Sequence, residues 1–274
     1  MKLRNTACIV FLVFLSVLFL APIFIVLMNS FKGQFYITDA PFVLPSKETF
    51  AGITNYLNGI KKTDFIGAFF RSLFITVVSV FAILLFSSMA AWYMARKDDK
   101  LSKIIYYSFI ISMTVPFQMV MFTMSKTANT LGLETPVGIT VLYLGFGAGL
   151  SVFMFTGFIK SIPKQLEEAA AIDGCGPIKT FFSVIFPILR PTAITVSILN
   201  AMWIWNDYLL PYLVIGNEYK TIPIAVQYLQ GGYGSRDMGA LMAMLVLAII
   251  PIVIFYLISQ KYIIKGVIAG AVKG

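Results

Sequence analysis

Long stretches without a charged residue dominate the pattern of this chain. They cover 5–31, 72–95, 104–125, 135–159 and 238–260. Each is long enough for the helix of about 20 residues that crosses the hydrocarbon core of a bilayer. A sixth apolar stretch, 191–206, continues to residue 215 after an interruption at Asp207. The pattern predicts an all-α polytopic membrane protein with six transmembrane helices. The predicted spans are about 6–28, 68–94, 104–125, 137–159, 192–214 and 238–260.

The connections between these spans predict one transmembrane domain over residues 1–274. Its outer loops are 29–67 and 215–237, and its longest cytoplasmic loop is 160–191. An even number of spans places both termini on the same side, and most Lys and Arg residues lie on that side. Because basic residues near span ends are retained inside, we expect both termini to be cytoplasmic. The turn signals in 29–67 indicate a structured connector with short helices.

Three local features refine the predicted spans. Pro22 predicts a kink in the first, which neighbouring helices in a bundle accommodate. The third span contains Pro116 and is unusually rich in methionine. In the fourth, Gly145 and Gly149 have the spacing of small residues that lets two helices approach closely.

Composition supports the membrane assignment and excludes other classes. The chain is 59% hydrophobic and 12% charged, against about 25% charged residues in ordinary globular domains. The net charge of +9 does not indicate nucleic acid, because the basic residues lie at span ends without interleaved aromatics. Two cysteines and no histidine indicate neither a disulfide nor a metal cluster. Residues 1–30 resemble a secretory signal, but their apolar run is long and lacks a cleavage site, so we expect an uncleaved first span.

The segment 160–191 is a polar island in the apolar chain, and its first half has the signals of a helix. Ser161 is the expected N-cap and Pro163 the expected first helical residue. Glu167 and Glu168 lie early, where negative charge meets the positive end of the helix dipole. Gly174 is expected to end this helix.

The second half of the segment predicts another helix, which begins at Pro177 and is ended or bent by Pro187. An ordered helix, turn and helix at this place fits a docking surface for another protein. It fits equally well a surface helix that only covers the end of the bundle.

Spacing decides between these readings. Glu168-Ala169-Ala170, then Gly174, then Val184-Ile185-Phe186-Pro187 resembles the EAA signature of membrane subunits of binding-protein-dependent ABC importers. Val184 and Phe186 replace the usual Ile and Leu. Residues 205–211, 221–223 and 260–274 are similar to the carbohydrate-uptake branch, in particular to its maltose-type shorter permease.

The resemblance implies a type I ABC importer permease fold in a bacterial or archaeal-type cytoplasmic membrane. It also implies a second homologous permease subunit, an ATP-binding cassette ATPase dimer and an extracytoplasmic sugar-binding protein. ATP and Mg would bind in the ATPase, since this chain has no phosphate-binding loop, and the chain itself would be neither an enzyme nor a cofactor protein. The ATPase-coupling residues implied by position are Glu167, Glu168, Ala169, Ala170, Asp173, Gly174 and Pro187.

The fifth predicted span contains candidate residues for the translocation path. They are Asn200, Trp203, Asn206, Asp207 and Tyr208. Acidic residues within spans usually face a bundle interior or a water-filled cavity, but Asp207 equally fits a cap or pairing role at the helix end. The outer loop resembles the family's loop that approaches the binding protein, through Tyr228, Gln230, Gly231, Gly232 and Tyr233.

These observations predict the permease subunit of an ATP-driven importer of a sugar or oligosaccharide. An importer of a non-sugar solute is the first alternative. An ion-coupled carrier fits poorly because one Asp and no His leave few groups to bind an ion or proton within the spans. An intramembrane enzyme also fits poorly, because the sequence offers neither a convincing pair of nucleophile and base nor a set of metal ligands.

Overall fold

The computed structural model describes residues 2–97, 99–216, 218–231 and 236–271. The regular secondary structure of this part of the chain is helical, apart from one isolated β-bridge between Lys32 and Phe50. The first seven helices are α1 (Lys2–Asn29), α2 (Gln34–Asp39), α3 (Thr54–Thr63), α4 (Phe65–Arg96), α5 (Lys100–Thr114), α6 (Phe117–Thr130) and α7 (Gly138–Ile159). The remaining α-helices are α8 (Gln165–Ile172), α9 (Pro177–Thr180), α10 (Phe186–Ile188), α11 (Arg190–Asn206), α12 (Leu209–Val214), α13 (Ile222–Tyr228) and α14 (Met238–Ala271). A π-helical turn, Phe181–Ile185, joins α9 to α10.

Four helices in the described residues are long and apolar enough to cross a membrane, and six spans result if each of two bent pairs counts as one. The four are α1, α4, α7 and α14. Pro22 and Pro251 lie inside α1 and α14, which are each assigned as one helix. The bent pairs are α5 with α6, and Pro177–Ile188 with α11.

The third predicted span is not one helix. It breaks at Val115 and Pro116, and α5 and α6 are bent by 108°. Proline has no N–H to donate and its ring disfavours helical geometry at the preceding residue. Val115 accordingly has extended backbone angles (φ −81°, ψ 114°), so the predicted span over 104–125 consists of parts of two helices.

The fifth predicted span is also interrupted. Helix α11 ends at Asn206, and Asp207 has extended backbone angles (φ −73°, ψ 122°). One carboxylate oxygen of Asp207, Oδ1, accepts hydrogen bonds from the backbone N–H groups of Leu209 (3.0 Å) and Leu210 (3.4 Å) at the start of α12. The stretch 192–214 therefore contains two helices, because Asp207 satisfies backbone donors that a continuous helix would have paired internally.

The chain divides into two compact units. The first consists of Met1–Phe69 with Ile222–Val253, and the second of Phe70–Thr221 with Ile254–Gly274. In the first unit, the amide of Asn55 donates to the carbonyls of Ser30 and Lys32, both at 2.8 Å. The buried Lys32 ammonium donates to the carbonyl of Ala40 at 2.8 Å. The segment 29–67 thus contains short helices tied by buried hydrogen bonds.

The second unit contains a hydrophobic core formed by α4, α7, the π-helical turn and α11. The close approach of α7 to α5 and to α11 depends on glycines of α7. A Cβ on Gly149 would lie 2.9 Å from the carbonyl oxygen of Phe109 on α5. A Cβ on Gly147 would lie 2.8 Å from Oδ1 of Asn200 on α11, whereas Gly145 faces open space. Close packing at Gly149 is confirmed, but Gly147 rather than Gly145 is the other contact.

Candidate coupling segment

The segment 160–191, hereafter the coupling segment, contains α8, α9, the π-helical turn and α10. Its first helix begins at Gln165 with Lys164 as the N-cap residue, so the expectation that Ser161 is the cap was wrong. The hydroxyl of Ser161 donates instead to the carbonyl of Phe158 in the preceding helix, at 2.7 Å. Glu167 and Glu168 lie in the first turn of α8, where they favour the helix through its dipole.

The end of α8 has the hydrogen bonds of a Schellman motif. The N–H of Cys175 donates to the carbonyl of Ala170 at 2.9 Å, and the N–H of Gly174 to that of Ala171 at 3.0 Å. This motif requires a left-handed residue after the C-cap, and Gly174 has φ +76°. The prediction that Gly174 ends the helix is confirmed.

The second half of the coupling segment begins at Pro177, the first residue of α9, as predicted. The chain then continues through the π-helical turn into α10, where Pro187 is exposed. Helix α11 starts at Arg190, and the chain bends by 78° there. Helix, turn and helix are therefore present in the order that the sequence predicts.

The predicted ATPase-coupling residues of this segment do not share one environment. Glu168, Ala169 and Asp173 are exposed, as is Gly174. Ala170, by contrast, is buried, with 7% of its surface exposed. One face of α8 thus packs on the molecule and another is open to a partner.

Large apolar side chains extend this open surface. Ile172 is 87% exposed, Ile178 is 71% exposed and Phe182 is 46% exposed. Ile178 and Phe182 line an open groove together with Gly176, Pro177, Lys179 and Ser183. In a segment predicted to lie in the cytoplasm, apolar exposure of this kind marks a protein contact.

Glu167 differs from its neighbour Glu168 in pointing towards α4. Its Oε1 accepts from Nε of Arg96 at 2.6 Å, and its Oε2 accepts from Nε1 of Trp92 at 3.1 Å. Nη2 of Arg96 also donates to the carbonyl of Ile162 at 3.0 Å. The first turn of α8 is therefore joined to the end of α4.

The candidate translocation residues are distributed over α11 and the break that follows it. Asn200 is buried, and its amide donates to Oγ of Ser151 on α7 at 3.2 Å and to the carbonyl of Val196 at 2.9 Å. Trp203 is 40% exposed, and Asn206 is exposed with its amide bonded to the carbonyl of Met202. Asn200 thus links two helices.

Asp207 and Tyr208 lie at the break after α11. Oδ2 of Asp207 accepts from the hydroxyl of the fully buried Tyr143 at 3.1 Å. Since Oδ1 already accepts from the start of α12, both carboxylate oxygens have partners within the chain. Tyr208 stacks on Tyr212 with ring centroids 5.2 Å apart. This geometry favours the capping and pairing role for Asp207.

The predicted contact loop for a binding protein is described only in part. Tyr228 and Gln230 are exposed, and Gly231 has a left-handed backbone (φ +96°). Gly232 and Tyr233 lie outside the described residues.

Sequence reasoning missed the partners of these residues. Arg96, Trp92, Tyr143 and Ser151 were not singled out. The sequence did offer one signal for the pairing of Arg96 with Glu167. Arg96 is a basic residue at the end of a predicted span, and Glu167 is an acidic residue in the next predicted cytoplasmic loop. In the part of the chain that the structure describes, no group of three His, Cys, Asp or Glu side chains could hold a metal ion.

Comparison with known proteins finds one matching family and similar permease proteins. The family described as binding-protein-dependent transport system inner membrane component matches residues 83–269. The chain is 40% identical to the "Probable starch degradation products transport system permease protein AmyC" of Thermoanaerobacterium thermosulfurigenes, over 94% of this chain and 93% of that protein. It is 37% identical to the "Multiple sugar-binding transport system permease protein MsmG" of Streptococcus mutans, over 94% and 93% of the two chains.

Solved structures match in fold. A chain in the crystal structure of a bacterial ABC transporter that imports the acidic polysaccharide alginate superimposes with a TM-score of 0.82. The match covers 95% of this chain and 96% of that one, at 20% identity. A further match, with a TM-score of 0.62 and 13% identity, comes from an alginate ABC transporter in complex with a pentasaccharide-bound periplasmic protein. These matches show an ABC importer permease fold.

Proposed function

Since this chain belongs to the family of binding-protein-dependent transport system inner membrane components, we propose that it is the permease subunit through which an ATP-driven importer takes up a sugar or oligosaccharide. The family makes it a multi-pass protein of the inner membrane and a transport subunit rather than an enzyme. This family membership excludes the two alternative functions of an ion-coupled carrier and an intramembrane enzyme. The relatives named for starch products and for multiple sugars support a sugar over another solute.

The coupling segment carries this proposal. It presents Glu168, Ala169 and Asp173 together with the exposed side chains of Ile172 and Ile178. Small residues allow a partner to approach closely, and exposed apolar side chains stabilise the contact through burial. This surface fits a cleft in an ATPase subunit.

The partners of the complex follow from the family resemblance. A second homologous permease would complete the pathway, a dimer of ATP-binding cassette ATPases would bind ATP and Mg, and an extracytoplasmic sugar-binding protein would deliver the substrate. Closure of the ATPase pair on ATP would move the coupling segments as rigid bodies. The permease halves would then change from inward-facing to outward-facing, as in other interface rearrangements.

Co-purification of the complete importer tests the proposal. Glu168→Lys places a positive charge on the exposed face of α8 and Gly174→Asp strains its end, so both should reduce the amount of ATPase recovered with the permease. Gly145→Ala is the control, because Gly145 lies in α7, outside the coupling segment, with open space around it. Unchanged recovery of the ATPase in both test variants would contradict the coupling assignment.

Uptake by proteoliposomes identifies the substrate class. Vesicles that contain the full importer, with its binding protein and labelled oligosaccharide outside, should accumulate the oligosaccharide only with ATP inside. Accumulation of an amino acid or peptide in place of every sugar tested would contradict the sugar assignment and leave the family assignment in place.

A further inference from the structure

The carboxylate of Glu167 is bound at both oxygens by side chains of α4. Arg96 donates to one oxygen at 2.6 Å and Trp92 to the other at 3.1 Å. Arg96 also donates to the carbonyl of Ile162, in the turn between α7 and α8. These four residues form a hydrogen-bonded network between the end of α4 and the start of the coupling segment.

This network is shielded from solvent. The side chains of Arg96 and Glu167 are 15% and 17% exposed, so salt screens their attraction much less than it screens an exposed pair. Removing one partner would leave the other charge buried without compensation, which is strongly unfavourable. The contact therefore resists separation when the coupling segment is displaced.

Trp92 also contacts the second half of the coupling segment. Its ring lies 5.6 Å, centroid to centroid, from the ring of Phe181 at the start of the π-helical turn. Phe181 is fully buried. One residue of α4 thus touches α8 through Glu167 and the following turn through Phe181.

Helix α4 can carry a displacement away from this contact. Its 32 residues contain no proline, and its one glycine, Gly67, lies in the first turn. At 1.5 Å per residue the helix is about 48 Å long. Near its other end, Nε of Arg71 donates to the carbonyl of Lys220 at 2.8 Å. A movement of the coupling segment therefore has a continuous helical path to the loop that precedes α13.

We propose that Glu167 is a positioning residue that transmits the movement of the coupling segment to α4, and that it does not contact the ATPase. This inference rests on the proposed function, since it assigns the internal half of the same coupling device. Glu167 and Glu168 are neighbours with different tasks: Glu168 faces the partner, and Glu167 fastens α8 to the span that must move with it.

A charge exchange in the complete importer tests this assignment. Glu167→Lys and Arg96→Glu each place like charges together, and we expect sugar transported per ATP hydrolysed to fall on the order of tenfold. ATPase recovery in co-purification should stay unchanged. The double variant Glu167→Lys with Arg96→Glu restores an opposite-charge pair, and it should recover part of the transport per ATP. Recovery is incomplete because Trp92 and the carbonyl of Ile162 lose their hydrogen-bond partners.

The ratio of sugar transported to ATP hydrolysed distinguishes a loss of coupling from a loss of folded protein. An unfolded fraction of the permease lowers uptake and ATP hydrolysis together and leaves this ratio unchanged. Loss of ATPase recovery in Glu167→Lys, equal to that in Glu168→Lys, would make Glu167 an ATPase contact and overturn the inference. An unchanged ratio in both single variants would also overturn it. If Glu168→Lys and Gly174→Asp leave ATPase recovery intact, the proposed function fails at its own test, independently of Glu167.

Covalent replacement of the pair gives a second test that does not depend on the charge exchange. Arg96→Cys with Glu167→Cys, in a permease in which Cys8 and Cys175 are serine, should transport poorly until a short bifunctional thiol reagent joins the two positions. Because the inference makes α4 and α8 move as one body, the joined protein should regain transport per ATP. Inhibition on joining, with each single cysteine variant unaffected by the reagent, would show that the helices separate during the cycle and would overturn the inference.

Discussion

Gly174 is the residue on which the shape of the coupling segment depends. Its φ of +76° closes the Schellman motif, and an L-residue pays about 1–2 kcal/mol for the left-handed region. Nothing lies within 4 Å of the position that a Cβ would take. A side chain at this position therefore acts through the backbone and not through a clash.

Gly174→Ala should accordingly weaken the end of α8 by about 1 kcal/mol. We expect a modest loss of ATPase recovery, smaller than in Gly174→Asp, and a corresponding loss of sugar uptake. Gly145→Ala, in α7, has equal space without a left-handed backbone and should leave both unchanged. Equal losses in the two alanine variants would show that the backbone conformation is not the cause.

Asp207 is the second residue whose role the structure sharpens. The sequence is compatible with two roles for Asp207, in the translocation path or as a helix cap. In the structure, both of its carboxylate oxygens accept hydrogen bonds, from Tyr143, Leu209 and Leu210. Such an aspartate holds α7, α11 and α12 in one arrangement. The cost of losing it should therefore appear in stability before it appears in sugar affinity.

Tyr143→Phe tests this directly. The variant leaves Oδ2 of Asp207 without its partner, at a cost of about 1–3 kcal/mol for a buried polar group. We expect a lower melting temperature of the purified complex and an unchanged KM for uptake. Tyr212→Phe, which keeps the ring stack with Tyr208, is the control. A raised KM without loss of thermal stability would instead place Asp207 on the path.

At the scale of elements, α-helical spans could be predicted from hydropathy, but their interruptions could not. Pro22, Pro116 and Pro251 look alike in sequence, yet only the helix at Pro116 is broken in the structure. A helix can continue past a proline when neighbouring helices or side chains form hydrogen bonds with the backbone groups that the proline leaves unpaired. That condition depends on packing partners from distant parts of the chain, as does the pairing of Glu167 with Arg96.

The coupling segment was predictable to a greater extent, because its signals are local. Gly174 and Pro177 mark a turn and a helix start by their own backbone preferences. Ser161 was misassigned because its hydroxyl found an acceptor in the helix before it, the carbonyl of Phe158. Capping residues compete between such local acceptors and the helix that follows.

Helix α5 provides a prediction at this scale. Oδ1 of Asp99 accepts from the backbone N–H of Ser102 at 2.7 Å and caps the helix. Hydrogen bonding from Ser102, with Lys97 nearby, holds the pKa of Asp99 at about 2, below its ordinary 3.8. A depressed pKa gives stability that is present above the ordinary value and is lost as the pH falls towards the folded value.

Asp99→Ala should therefore lower the melting temperature of the purified permease at neutral pH. Asp99→Asn keeps the acceptor without the charge and should lose less. The difference between the native protein and Asp99→Asn should be constant from pH 7 to 5 and decrease below about pH 4. A difference that stays constant down to pH 3 would show that the charge contributes nothing to the cap.

At the scale of the whole molecule, the side of the membrane to which each segment belongs depends on the number of crossings. The described helices give four spans, or six when each bent pair counts as one. Both numbers are even, so they agree with the prediction that the two termini share one side of the membrane. That this side is the cytoplasm is predicted from charge. The predicted topology has six crossings, and it places the coupling segment, which follows the fourth crossing, on the side opposite to the segment 29–67, which follows the first. With four crossings the coupling segment would follow the third and lie on the same side as that segment.

Single cysteines test this arrangement in a permease in which Cys8 and Cys175 are serine. Lys47→Cys and Lys164→Cys place thiols at exposed positions in the segment 29–67 and the coupling segment, respectively. Because basic residues are retained inside, a membrane-impermeant thiol reagent added to intact cells should label residue 47 and not residue 164. Residue 164 should react once the membrane is opened. Labelling of both in intact cells would contradict the predicted topology, and labelling of residue 164 alone would invert it and exclude a cytoplasmic ATPase from the coupling segment.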